Sequence, residues 1–181
     1  MRGKILTKAY HLKNYPEDVH FAPHEWIHRR DRWLDLEALW NENEQYGQEL
    51  VACAERSRYG VSAGIGRECK IIVARGASSR EYSLDIYKRR GMKPPTDRSR
   101  HEFFQSMDSN AYEIKTGRLV PPWVFARYLE AAGFNRVAVI LDSKGVPIGT
   151  HADVKPGGLV SVGYNPVYPG REIQHWYGKA A

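Results

Sequence analysis

The sequence predicts an α+β fold: a single domain with a mixed or antiparallel sheet, a long N-terminal helical region and a C-terminal helix-strand-hairpin unit. Three observations carry this reading. Residues 121–164 form a run of helix, strand and hairpins with a punctuating residue at every boundary. Strand-like segments outnumber helical ones and do not alternate regularly with them, which disfavours a doubly wound sheet. A chain of 181 residues, 42% of them hydrophobic, can bury one core and little more, so 1–181 is expected to be one domain.

Taken in order, residues 5–12 read as a first strand closed by Asn14-Tyr15-Pro16. Pro23 opens a long helical region in which Trp33, Leu36, Trp40, Tyr46, Leu50 and Ala54 keep to one side, with Gly47 as a break between two helices. The glycine-spaced stretch 59–66 is expected as a loop and the apolar run 69–74 as a central strand. In 81–87, Tyr82, Leu84 and Ile86 alternate with Ser83, Asp85 and Tyr87, the period of a half-buried strand. Residues 91–100, with Pro94-Pro95, are the candidate exposed loop, followed by a short helix over 98–107 and irregular chain over 108–120.

Pro121 and Pro122 suit the first turn of a helix whose apolar face holds Val124, Phe125, Tyr128, Leu129 and Ala132, with Gly133 as its left-handed cap. The unbroken apolar run 137–141 predicts a central strand covered on both faces. Asp142-Ser143-Lys144-Gly145 turns it into a second strand, 146–154, and Lys155-Pro156-Gly157-Gly158 turns that into a third, 159–164. The end, 165–181, is expected as a surface tail of coil or short helix.

Net charge is +6, and the excess falls in the first hundred residues: Arg29-Arg30 with Arg32, Arg56 with Arg58, and a dense run from Lys88 to Arg100. An uneven basic surface fits a polyanionic partner. The candidate nucleic-acid-binding residues are Lys88, Arg89, Arg90, Lys93, Arg98 and Arg100, with Tyr82, Tyr87 and His101 as stacking faces. The favoured function is therefore a basic nucleic-acid-binding protein of a phage or mobile element. The alternative is an assembly component whose 5 Trp and 11 Tyr line protein contacts. No apolar run approaches the ~18 residues of a membrane span, and the N-terminus has no signal-peptide core, so no membrane partner and a cytoplasmic setting are expected. Cys53 and Cys69 are too few for a disulfide framework and are expected to be buried thiols.

Two histidine motifs bear on metal chemistry. His24-Glu25-Trp26-Ile27-His28 matches H-E-x-x-H and over those five residues resembles the zinc metallopeptidase signature. That resemblance implies His24 and His28 as ligands and Glu25 as general base, the third functional reading, a zinc-dependent hydrolase. Pro23 stands where that helix needs preceding turns, and Glu42, Glu44 and Glu49 offer no clear third ligand. His151-Ala152-Asp153 in a strand puts two side chains on one face, and His175 would complete a two-His-one-carboxylate set; the competing expectation is that His151 and Asp153 simply pair with each other. Neither motif has a complete ligand set, so no metal, no cofactor and no catalytic residue is assigned, and enzymatic activity is not the favoured reading.

Two weaker family resemblances concern partners. The helical run 36–44, the strand 69–74, the helix ending Ala132-Gly133-Phe134 and a strand near His151 resemble the element order of DNA-nicking relaxases; with His151 and Asp153 at the H-x-H position, this implies a non-nicking relative. Thr116-Gly117-Arg118-Leu119 together with 160–168 resembles the paired signature of small phage tail-completion and neck proteins, which implies an assembly role.

Overall fold

The computed structural model describes residues 21, 23–89, 91, 93, 98–142, 144–154 and 171–178, with 23–24 and 171–178 described as backbone only. Among them are helices α1 (Leu36–Ile65), α2 (Arg80–Arg89) and α3 (Pro122–Ala131). The strands are β1 (Cys69–Arg75), β2 (Ser106–Glu113), β3 (Arg136–Asp142), β4 (Pro147–Asp153) and β5 (Arg171–Gly178). They form one sheet in the order β1-β2-β4-β3-β5, every adjacent pair antiparallel. The α+β class, the early long helix and the helix-strand-hairpin unit are all as the sequence predicts.

Several elements differ, each for a local reason. Pro23–Trp26 is a 3-10 turn, and the long helix starts only after Asp35, whose Oδ1 accepts from the Ala38 amide at 3.1 Å. Gly47 does not divide α1. A Cβ there would collide with the Trp40 ring, so the glycine makes room for a buried indole, and the kink falls at Asn43 instead. The helix continues through 59–65 and ends at Gly66, which takes the left-handed φ of 66° that a side chain disfavours.

Segment 80–89 is helix and not the alternating strand that Tyr82, Leu84 and Ile86 suggest. Ser79 Oγ accepts from the Tyr82 amide at 3.0 Å and so caps the first turn, and only Tyr82 and Ser83 become buried. Conversely, the strand 106–113 stands where the end of a helix and irregular chain are expected, and the remainder of 98–107 supplies a 3-10 turn, Arg100–Phe103, in place of that helix. Among the described strands, β1 lies at the sheet edge, not at its centre. The expected surface tail contains β5, which pairs with β3. The proposed strands 5–12 and 159–164 lie outside the described residues.

The sheet has two unlike faces. On one, Ile71, Met107, Ala111, Val137, Val139 and Ala152 are buried and join Leu50, Val51 and Val61 of α1 and Phe125 and Leu129 of α3 in one core. Each large apolar side chain buried there contributes about 1.5–3 kcal/mol. Cys53 and Cys69 sit in this core as free thiols, as expected. Because alternate residues of a strand point to opposite sides, Ser106, Asp108, Arg136, His151 and Asp153 stand on the other face.

Candidate functional site

Strand register assembles a polar row across that second face. Arg75 of β1 is the partner of Asp108 of β2, and Asp108 is the partner of His151 of β4. One step along, Asp153 of β4 lies between Ser106 of β2 and Arg136 of β3. Directly opposed residues bring their side chains within contact distance. The 3-10 turn Arg100–Phe103 then lowers His101 onto the row, the turn closing at Phe104 with φ 51°. The His101 and His151 rings meet edge to face at 5.3 Å.

The hydrogen bonds fix most protons here. His151 Nδ1 lies 2.7 Å from Asp108 Oδ1 and its Nε2 2.9 Å from Asp153 Oδ1. Carboxylates accept, so both ring nitrogens donate and the ring is an imidazolium. Burial pulls its pKa down, but Asp153 and Asp108 outweigh burial and push it up to about 10. Asp153, fully buried, is also held by Arg136 Nη2 at 2.6 Å from Oδ2. Burial would raise its pKa, and His151 and Arg136 lower it further than burial raises it. The same balance acts on Asp108, whose contacts with His101 and His151 hold its carboxyl well below the usual range against burial.

His101 behaves differently. Its Nδ1 donates to the Gly76 carbonyl at 3.2 Å, while Nε2 faces Asp108 Oδ1 at 3.5 Å. Burial, and after it the nearby Arg75, lowers its pKa, while Asp108 works against both. The ligating atoms of His101, Asp108 and His151 all lie within 4.8 Å of one another, a set of groups able to hold a metal ion. Side-chain exposure is 4% for His101, 14% for His151 and 27% for Asp108, so the cluster opens to solvent on the Asp108 side.

Beside the row lies an arginine cluster. His28 stacks on Tyr82 with ring centroids 5.0 Å apart, and Tyr82 Oη donates to His28 Nδ1 at 2.6 Å. The Arg30 amide donates to the same nitrogen at 3.2 Å, which leaves the His28 proton on Nε2. Arg89 and Arg75 lie 5.7 and 6.0 Å from the Tyr82 ring. Burial, then Arg30, Arg75, Arg29 and Arg89, depress the His28 pKa. Arg75 is pinned between the two regions, donating to Ser78 Oγ at 2.7 Å and Ser83 Oγ at 2.9 Å.

The residues singled out from sequence are dispersed. Lys88 and Arg89 end α2 on the surface, with Arg89 paired to Asp85 at 2.5 Å; Lys93 is exposed, and Arg90 lies outside the described residues. Arg98 is paired to the buried Glu102 at 3.0 Å, and Arg100 donates to Gln105 at 3.0 Å. Tyr82 and His101, expected as stacking faces, are buried. The H-E-x-x-H residues do not ride an α-helix: 23–26 is a single 3-10 turn, and Trp26 between them belongs to the core. His151 and Asp153 do share a face and do pair, but the further members of their cluster are Asp108 and His101, which no sequence motif links to them. For His175, in β5, only backbone is described. Comparison with family models, with curated proteins and with solved structures finds no match to this chain.

Proposed function

We propose that the protein binds a polyanion, with nucleic acid the class its chemistry fits, in the cytoplasmic setting of a phage or mobile element. The observation that supports this is the convergence of Arg29, Arg30, Arg75 and Arg89 around His28 and Tyr82, four cations that add to burial in depressing the histidine. Two basic groups far apart in sequence thereby come together, and Lys88, Lys93, Arg98 and Arg100 are further candidate contacts. Arginine suits phosphate because its planar fork can donate twice to one group. No helix among the described residues is long and apolar enough to cross a membrane.

Fluorescence anisotropy with a labelled single-stranded oligonucleotide over a salt series tests this. Wild type should bind at low salt, and Arg29→Ala, Arg30→Ala and Arg89→Ala together should flatten the log–log salt slope by about 0.7 for each phosphate that is no longer neutralised. Absence of binding by wild type at low salt would refute the proposal. The assembly alternative draws on Trp33 and Tyr59, exposed aromatics each covered by an arginine, Arg32 and Arg58. It would be favoured by self-association without any nucleic acid.

A further inference from the structure

We infer that His101, Asp108 and His151 form a binding site for a divalent first-row transition metal ion, with zinc the best fit. This goes beyond polyanion binding and does not depend on it. The first reason is how the two histidines are tethered. Each commits one ring nitrogen to a fixed acceptor on its far side: His101 Nδ1 to the Gly76 carbonyl, and His151 Nε2 to Asp153, itself anchored by Arg136. Metal-binding histidines are oriented in this way, by a backbone carbonyl or a carboxylate on the nitrogen that does not bind. The remaining nitrogens, His101 Nε2 and His151 Nδ1, both converge on Asp108 Oδ1, at 3.5 and 2.7 Å.

The second reason is spacing. The candidate ligand atoms of the three side chains, delivered by two neighbouring strands and the 3-10 turn, all lie within 4.8 Å of one another. A cation seated among them would replace the proton on His151 Nδ1, which leaves to solvent as the ion binds. Bonds of about 2.0–2.2 Å to nitrogen and oxygen place ligand atoms roughly 3–3.5 Å apart, close to the two separations seen here.

The third reason concerns which ion. Two imidazoles and one carboxylate suit zinc or ferrous iron, whereas calcium and magnesium take oxygen ligands. Three protein ligands would leave a tetrahedral ion one open position, and Asp108, 27% exposed, gives the cluster its access to solvent. A site of that kind accepts water or a small ligand as its fourth partner.

Calorimetry of the full chain, stripped with chelator and titrated with Zn²⁺, should find one ion per chain. His101→Gln and Asp108→Asn should each weaken binding by at least about 100-fold, and Asp153→Asn by about 10- to 100-fold because it acts through His151. His28→Ala should leave binding unchanged. Circular dichroism establishes that each variant is folded. Should one of them not fold, ¹⁵N-histidine spectra of wild type decide: Zn²⁺ must move His101 Nε2 and His151 Nδ1 and leave His28 where it is. Failure of wild type to bind Zn²⁺, binding undiminished in His101→Gln, or Zn²⁺ moving His28 instead would overturn the assignment.

Discussion

His28 and His151 are the same residue in opposite surroundings. His28 is half-buried with four arginines around it, and burial first and then those cations leave its proton held less tightly than usual. Around His151 two aspartates outweigh the cost of burial, and the ring keeps its proton to about 10. One region is thus rich in cations and the other in carboxylates, and Arg75 stands between them. The contrast also separates tasks. Arg29, Arg30 and Arg89 are exposed and each contributes little to folding, whereas Asp153 is fully buried and the members of its row depend on one another.

The largest effect should follow from breaking the row. Asp153→Ala strips the partner from Arg136 and from one side of His151, and a broken buried pair costs several kcal/mol; we expect about 3 kcal/mol, the low end of the range, because the Arg136 side chain is 28% exposed. Arg30→Ala should cost under about 0.5 kcal/mol. Urea denaturation of the two proteins measures the difference, and equal losses would erase the division of labour. A smaller effect on stability and a larger one on binding should come from Arg30→Glu with Arg89→Glu. Oligonucleotide affinity at low salt should fall at least tenfold while the urea midpoint stays close to wild type. Unchanged affinity would move the anion surface elsewhere.

The smallest effect is on protons. Because the folded His28 pKa lies below that of the unfolded chain, near 6.5, the unfolded state takes up the proton first as pH falls. This contribution to stability is thus intact above about pH 6.5 and declines below it, until the folded pKa is passed. Removing Arg30 should raise the His28 midpoint, and so should a bound polyanion; an NMR titration of the ring reads both. A midpoint indifferent to Arg30→Ala and to the oligonucleotide would mean that the arginines do not act on this ring.

What sequence discloses here depends on whether an element states its own period. α3 and β3 do so, through apolar spacing and an unbroken apolar run, and both lie where expected. β2 does not: Ser106 to Glu113 shows no clean alternation, because one face meets His151 and Asp153 and the core face sets Ser109, bonded to Thr150, between Met107 and Ala111. α2 misleads because Tyr82, Leu84 and Ile86 alternate by chance, and the decisive signal is the capping Ser79. The pairing of His151 with Asp153 is legible because two residues apart on a strand means one face. Asp108 and His101 are not, since strand register and a single 3-10 turn bring them in across 43 and 50 residues of sequence.

The irregularity in β1 has a consequence for insertions and deletions. Val73 pairs with Ser109 and Arg75 with Asp108, so β1 advances two residues while β2 advances one, and Ala74 is the extra. Counted along an unbroken strand, Arg75 would share the parity of Cys69 and Ile71 and point into the apolar core. The surplus residue reverses that parity and delivers the guanidinium to the polar face. Loss of Ala74 alone would straighten the ladder and still leave an arginine opposite Asp108. Loss of any single residue between Lys70 and Ile72 would instead change the parity of the segment before it relative to the bulge, turning buried positions outward. The length of this edge strand is thus tolerant at one position and intolerant at its neighbours, a pattern that a deletion scan across 70–75 would display.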